Sequence, residues 1–286
     1  MVVTDGDAAL ADAQLAQLAG RVWTAREALW DELEKGVPMR EALAQAAEAR
    51  AAASGSADRT PVVITDAADN VGGGTPGDTP AVLKELLAHR SLLTAGRDDD
   101  DDGLALLHVP DPDAIATLRA SGATAGSQIT VEVGGKVDPI WGEPVAVTGV
   151  LQEWGQGPIE NCAPGGAFGG TGPLVETGEL ALIAVDNVRL VLSELKVQGP
   201  HPSIFTAVGL DPFADAAVVL LKSGTGWEVT YQPRGCLMIR ADCPGPMSYN
   251  CTSFAWEQLS RPIFPLDWDA TWAPRPLGAA ASVARM

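Results

Sequence analysis

The first part of the chain shows the periodicity of amphipathic helices. Within residues 7–34, apolar residues recur at spacings of three, four and seven positions, which predicts one long helix. Its apolar stripe consists of Leu15, Leu18, Val22, Leu29 and Leu33, with Trp23 and Trp30 beside it. Gly36 ends this helix, and Pro38 opens a second, alanine-rich helix that runs through Arg50. Because the apolar face of this pair is narrow, we expect it to pack against a larger body.

From residue 61 onward the pattern changes to short apolar and β-branched runs. Residues 62–64 predict a strand, 82–87 a helix, 104–109 a second strand, and Asp111 caps a helix through Ala120, giving a β-α-β-α unit. Further β runs occupy residues 129–133, 145–151, 180–185, 188–192, 216–221 and 237–239. Asp186 and Asn187 predict a tight hairpin turn, and the spacing of these runs is typical of an antiparallel sheet. The pattern therefore predicts a mixed α/β fold with a helical start, a strand–glycine-loop–helix unit and a mixed, largely antiparallel sheet.

Composition shifts suggest the domain boundaries. Residues 1–58 form a helical segment that ends in a linker, residues 59–272 form the main domain, and residues 273–286 form a flexible tail. Within the main domain, the glycine-rich stretch 155–172 predicts a loop with Phe168 as its anchor, and the aspartates at 98–102 predict a solvated insertion. Residues 261–267 predict an extended, proline-locked segment held by Trp268 and Trp272.

Candidate chemistry is concentrated in the loop that follows the first strand of the main domain. Asp66 and Asp69 lead into Gly72, Gly73 and Gly74, whose N–H groups could form an anion-binding nest. With Thr79 as its N-cap and Pro80 as its first residue, the next helix would point its N-terminus at this loop. The acids and the missing lysine count against a phosphate loop. The alternative is a glycine turn that only reverses the chain, with Asp69 and Asn70 capping backbone groups.

Net charge and cysteine usage exclude several classes of protein. A formal net charge of −18 over 286 residues without a basic patch argues against nucleic acid or an anionic membrane as partner. No apolar run is long enough to span a membrane, so we expect a soluble, cytoplasmic protein. The four cysteines are too few and too widely spaced for a disulfide scaffold or a C-x-x-C zinc site, so free thiols are expected. His89, His108 and His201 lie in unrelated contexts and predict surface or capping roles.

Taken in order, the motifs resemble one family. They are the D-x-x-D-N-x-G-G-G-x-x-G-D-T segment from Asp66, the D-P-x-A helix start at Asp111, G-G-K at Gly134, V-G-L-D-P at Val208, the strand end at Lys222, and R-P-I-F-P-L-D at Arg261. This order is similar to that of the C-terminal half of the MlrC-like (microcystinase C) zinc metallopeptidases, over about residues 61–267. Residues 1–50 resemble the end of that family's N-terminal domain.

The resemblance implies a zinc enzyme that hydrolyses amide bonds of small or linear peptides. In that family the zinc ligands and the general base lie in the N-terminal half, so no catalytic residue and no metal ligand carries over to this chain. On this interpretation the isolated chain is inactive and provides the substrate-facing half of the cleft. Asp69, Asn70 and Asp78 would orient the substrate, the Gly72, Gly73 and Gly74 backbone would hold a carboxylate, and Lys222 would pair with it.

A second interpretation comes from a different functional class. The chain would be a stand-alone, non-catalytic domain that binds a small ligand or a partner through the loop at Asp69. The exposed helical start also predicts association, either as a homo-oligomer or with a missing N-terminal domain. Both interpretations include no nucleic acid and no membrane among the partners.

Overall fold

The computed structural model describes residues 1–33, 36–53, 60–94, 103–162, 172–199 and 201–273. Its helices are α1 (Ala8–Asp31), α2 (Met39–Ala52), α3 (Ala81–His89), α4 (Pro112–Ala120), α5 (Ser203–Thr206) and α6 (Trp227–Thr230). Its strands are β1 (Val37–Pro38), β2 (Val62–Asp66), β3 (Ala105–Pro110), β4 (Gln128–Val133), β5 (Val145–Gln156), β6 (Ile159–Glu160), β7 (Leu174–Val175), β8 (Glu179–Val185), β9 (Val188–Ser193), β10 (Val218–Leu221) and β11 (Met238–Asp242). No helix among these residues is long and apolar enough to cross a membrane.

The described residues form two compact units. One combines the described parts of 1–34 and 251–286, and the other those of 35–250. The predicted aspartate insertion at 98–102, the linker residues 54–58, the anchor Phe168 and the tail residues 274–286 lie outside the described residues.

A nine-stranded sheet organises the larger unit, in the order β1-β11-β2-β10-β3-β9-β8-β5-β4. The mixed α/β fold is confirmed. The expectation of a largely antiparallel sheet is wrong, because five of the eight described pairs in this sheet are parallel and only those joining β9, β8, β5 and β4 are antiparallel. A short apolar run does not show whether its strand lies parallel or antiparallel to its neighbours. Here the helical crossovers and the insertion of β10 between β2 and β3 decide the strand directions.

The two faces of the sheet carry separate cores. Val62 and Ile64 of β2 face the cluster that α2, α3 and α4 cover, whereas Val63 faces a second cluster around Phe205 and Tyr231. This division follows from the period of two in a strand, and burial on both faces explains why β2 is apolar without alternation. The arrangement leaves the carboxyl ends of β2, β10, β3 and β9 together at one edge of the sheet.

Helix starts agree with the sequence at α4 and differ at α3. Asp111 caps α4 by accepting a hydrogen bond from Ala114 N at 2.9 Å, as predicted. At α3 the cap position is Pro80, which has no capping side chain, so the prediction of Thr79 as N-cap is wrong. Thr79 N instead donates to Asp69, which ties the residue to the loop rather than to the helix.

Two further loop predictions are wrong, because residues of each stretch are paired with other residues in the structure. The stretch 155–172 is not wholly irregular, since β5 continues to Gln156 and β6 pairs with β7. Residues 261–267 are a closed turn rather than an extended segment. Arg261 pairs with the Asp267 carboxylate, which also accepts from Ile263 N at 2.7 Å, and Asp267 N donates back to Ile263 O at 2.8 Å.

In the smaller unit, α1 is present as predicted but shows a different face. None of its residues is buried, and Leu18, Val22 and Leu29 of the predicted stripe are exposed. The covered face carries the two tryptophans instead, with Trp23 near Trp272 and Trp30 near Phe264 at ring-centroid distances of 6.2 and 6.3 Å. Flat rings cover more area than leucine side chains, which explains why they take the contact.

Candidate functional site

The candidate site lies at the edge where the parallel strands end. β2 delivers Asp66 and the glycine loop there, β10 delivers Lys222, β3 delivers His108 and Asp111, and β9 delivers Ser193. In open α/β sheets, ligands bind in the crevice outside the carboxyl ends of the strands. The topology therefore brings together residues that are far apart in sequence.

Asp69 and Lys222 form a buried ion pair under the loop. Lys222 Nζ lies 2.7 Å from Asp69 Oδ2 and 2.7 Å from Thr79 O, with side-chain exposures of 6% for the lysine and 0% for the aspartate. Asp69 also accepts from Gly77 N at 2.9 Å and from Thr79 N at 2.8 Å. Burial opposes ionisation of Asp69, but Lys222 and these donors outweigh it and lower the pKa of the carboxyl. The pair clamps both ends of the glycine loop to the end of β10.

Asp66 is buried without comparable compensation. Its Oδ1 accepts from Ala68 N at 2.9 Å, while Oδ2 is buried with no hydrogen-bond partner among the described residues. Burial raises the pKa of Asp66 to about 6, against the opposing charge of Lys222. This carboxyl is therefore poised to hold a proton at mildly acidic pH.

The three glycines form a closed turn at the surface. Gly72 N donates to Asn70 Oδ1 at 3.0 Å, Gly73 N to Asn70 O at 2.8 Å, and Gly74 N to Val71 O at 3.0 Å. Gly74 requires its glycine because its φ of +99° lies in the left-handed region. Since all three N–H groups donate within the turn, the structure supports a capped turn here and offers no open anion nest at these residues.

Asp78 fixes the far end of the loop to the G-G-K motif. Its Oδ2 accepts from Lys136 N and Val137 N, each at 2.9 Å, and its carbonyl accepts from Gly135 N at 2.7 Å. Lys136 Nζ in turn lies 2.8 and 2.7 Å from the two oxygens of Asp111. This second ion pair was not predicted, although the D-P-x-A and G-G-K motifs that supply it were both visible in the sequence.

Two histidines line a cavity of about 30 Å³ beside Lys222. His108 Nε2 lies 2.8 Å from Ser193 Oγ, whose hydroxyl donates to Leu195 O, so we assign the Nε2 proton to His108. His201 accepts from Cys162 N at Nδ1 and bonds Gln198 O through Nε2. Burial, with a contribution from Lys222, lowers the pKa of His108 to about 3, which keeps the ring neutral. The prediction of unrelated contexts is thus wrong for His108 and His201, while His89 pairs with Glu85 at 3.5 Å.

The side chains of this edge do not form a metal site. Across the described ranges, no group of three or more His, Cys, Asp or Glu residues is placed to hold a metal ion. None of the four cysteines forms a disulfide bond. Asp69, Asp78 and Asp111 are engaged instead with backbone N–H groups, and Asp69 and Asp111 also with lysines.

Three comparisons relate the chain to known proteins. The sequence profile of the MlrC C-terminus family matches residues 64–258. Microcystinase C from Sphingomonas sp. is 26% identical over 207 residues, which cover 72% of this chain and 36% of that protein. A crystal structure of a candidate metallopeptidase from Mesorhizobium sp. BNC1 superimposes with a TM-score of 0.67 at 22% identity, over 93% of this chain and 47% of the other. The chain thus spans between about a third and a half of the length of these relatives.

Proposed function

Because the chain belongs to the MlrC C-terminus family, we propose that it provides the substrate-facing part of a metallopeptidase that hydrolyses amide bonds of small or linear peptides. The match between the family profile and residues 64–258 carries this proposal, because it spans the loops that follow β2, β3, β9, β10 and β11. The relative named microcystinase C and the fold shared with the candidate metallopeptidase support it.

The residues of the edge divide into those that touch the peptide and those that position them. Asn70, Gly72, Gly73 and Gly74 form the part of the loop that reaches the surface, and we assign them to the peptide. Asn70 O and Oδ1 already accept bonds from Gly73 N and Gly72 N, so we assign the Gly72, Gly73 and Gly74 carbonyls and the Asn70 Nδ2 group to bonds with a peptide backbone. Asp69, Lys222 and Asp78 are buried, so we assign them to holding this turn in place.

Zinc is the metal that the family resemblance implies, and the described residues do not fit it. Asp69, the acid nearest the turn, has both carboxylate oxygens engaged, and the Lys222 ammonium 2.7 Å away would repel a cation. No group of three metal-ligating side chains occurs among the described residues. No step of hydrolysis is therefore assigned to this chain, whose residues bind and orient the peptide.

The lack of a metal-binding group among the described residues also favours a second candidate function. A non-catalytic domain that binds a small ligand or a partner would need the buried ion pairs and the exposed turn but no metal. In either case we propose a cytoplasmic location, which suits cysteines that form no disulfide bond, and association through exposed Leu18, Val22 and Leu29 of α1.

Peptide binding by the purified chain tests the proposal. We expect linear peptides to bind and not to be cleaved, and Asn70→Ala to weaken binding about fivefold through loss of one hydrogen bond. Gln128→Ala, on the exposed face of β4, serves as the control and leaves binding unchanged. Titration calorimetry gives the affinities, and elemental analysis gives the zinc content of the same sample.

The outcomes separate the two candidates. A folded chain that binds no peptide would exclude the substrate-facing role and leave the non-catalytic domain. Stoichiometric zinc together with chelator-sensitive cleavage would overturn the assignment of these residues to binding alone.

A further inference from the structure

A larger cavity lies beside the carboxyl ends of β1 and β11. Its volume is about 630 Å³, within the range of small-molecule sites, and it opens between the start of α3 and the segment after β4. The residues assigned to the peptide and the buried ion pairs do not line it. The cavity is therefore separate from the candidate peptide site, and ligand binding in it is independent of the proposed function.

The apolar walls of this cavity are rigid. Pro38, Pro80, Pro144 and Pro244 all line it, together with the buried side chain of Met39. Proline rings have a fixed φ and almost no side-chain entropy to lose, so a ligand would meet preformed walls. Trp141 adds a ring whose orientation is fixed by a bond from Nε1 to Asp138 Oδ2 at 3.1 Å.

Acidic groups outnumber the basic one around these walls. Glu85, Glu143 and Asp242 line the cavity with a single lysine, Lys84. Glu85 also lies 3.5 Å from His89, and Asp242 bonds the Asn250 side chain. An excess of acid beside an indole ring attracts a cation and repels an anion.

A buried thiol also faces the cavity. Cys243 lines it with 4% exposure and belongs to the apolar cluster that α2, α3 and α4 cover. A buried cysteine of this kind behaves as a small apolar side chain, so it extends the apolar wall that the body of a ligand would meet. It is also a chemical reporter at that position.

We propose that this cavity binds an organic cation, an ammonium or guanidinium group carried on an apolar body. The cation pairs with Glu143 and Asp242 and lies against the Trp141 ring, while the apolar body contacts Met39 and the prolines. Apolar walls with a few converging polar groups suit such a ligand better than an inorganic ion, which would leave those walls unused.

Titration calorimetry with three matched probes tests the charge preference. 2-Phenylethylamine carries the cation, 2-phenylethanol is its neutral counterpart, and phenylacetate carries the opposite charge. We expect the amine to bind about tenfold more tightly than the alcohol, from two partly exposed ion pairs, and phenylacetate not to bind at millimolar concentration. Equal affinities for the amine and the alcohol, or no binding of the amine, would overturn the proposal.

Substitutions at the wall locate the binding. Glu143 is exposed, so Glu143→Gln leaves the core intact and should weaken amine binding about threefold. Trp141→Leu should weaken it about fivefold by removing the ring. Glu132→Gln removes an equal charge from the exposed face of β4 and should leave the affinity unchanged. An equal effect of the Glu143 and Glu132 substitutions would show long-range charge rather than a site.

Protection of the thiol gives a second readout of position. At mildly alkaline pH, where the amine is still protonated, long incubation with a small methanethiosulfonate is needed, because burial raises the pKa of both thiols. Cys243 should then be labelled more slowly with the amine bound, while the half-buried Cys162 away from this cavity keeps its rate. Peptide mapping by mass spectrometry separates the two. Unchanged labelling of Cys243 at saturating amine would contradict binding in this cavity.

The same cationic chemistry occurs in free amines and in basic side chains of peptides. Butylguanidine and the blocked tripeptide acetyl-Gly-Arg-Gly-amide distinguish the two sources, since each carries a single guanidinium charge. Tighter binding of the tripeptide assigns the cavity to a peptide side chain, and tighter binding of butylguanidine assigns it to a free small cation. Binding of neither would overturn the proposal.

Discussion

At the scale of single residues, the acids beside the glycine loop differ in how their charge is compensated. Asp69 accepts two backbone N–H bonds and pairs with Lys222, whereas Asp66 has one backbone bond and an unpaired buried oxygen. The sequence places both acids at the end of the same strand and does not distinguish them. The two acids differ in their positions relative to Lys222, which lies 153 residues after Asp69 in the sequence. Asp69 pairs with this lysine and clamps the loop, whereas Asp66 remains a titratable group.

The Asp69 and Lys222 pair should dominate the stability of the loop. Asp69→Asn leaves the Lys222 ammonium buried without its counter-charge, so we expect the free energy of unfolding to fall by about 3 kcal/mol. Adding Lys222→Met should recover part of that loss, because the unpaired charge is removed as well. Urea denaturation measures the free energy of unfolding of the single and the double variant. Glu132→Gln is the surface control, and its free energy of unfolding should stay within about 0.5 kcal/mol of the parent. Additive losses in the double variant would contradict a direct pair.

Asp66 should make stability depend on pH. Its pKa is about 6 in the folded protein against 3.8 for the free side chain, so the folded state holds the proton more tightly. Its contribution to stability is therefore full below the lower value and is lost as the pH rises through the upper one. Relative to Asp66→Asn, the parent should lose about 2 kcal/mol between about pH 4 and pH 7. Denaturant midpoints at the two pH values test this, and an unchanged difference would show that Asp66 titrates normally.

At the scale of elements, the segment after β11 closes over the glycine turn. Met247 N donates to Ala68 O at 2.9 Å, and a Cβ at Gly245 would lie 2.6 Å from that same carbonyl oxygen. A Cβ at Gly73 would lie 1.8 Å from Met247 Sδ. Gly245 therefore meets the backbone of the other segment, whereas Gly73 meets the Met247 side chain.

The two glycines should respond differently to alanine. At Gly245 the clash is with backbone that cannot move, so Gly245→Ala should cost about 3 kcal/mol. At Gly73 the clash is with the flexible end of a methionine, so Gly73→Ala should cost about 1 kcal/mol. A Met247→Ala background should rescue Gly73→Ala and not Gly245→Ala. Thermal unfolding of the two alanine variants, each with and without Met247→Ala, checks this. Rescue of both would show that the Gly245 contact is with the Met247 side chain.

At the scale of the whole molecule, both apolar cores lie in one unit. Every residue of the two clusters falls between Met39 and Cys243, whereas α1 buries none of its residues. We therefore expect residues 36–250, expressed alone, to keep a single cooperative unfolding transition, because the burial that drives folding is retained. Circular dichroism melts of this fragment and of the full chain measure it. A broad, non-cooperative melt would show that the fragment needs the remaining residues.

The sequence by itself determined the four longer helices α1 to α4, most strands, the hairpin at Asp186 and the family, because periodicity, caps and motif order are local properties of the chain, whereas the short helices α5 and α6 were not predicted. It also located the glycine loop, since acids before three glycines stand out in any context. Tertiary structure alone decided the direction of the strands, the burial of Asp69 against Lys222, the meeting of His108 with His201, and the covered face of α1. These features depend on which distant segments become neighbours in the sheet, and long-range packing rather than local preference sets that arrangement.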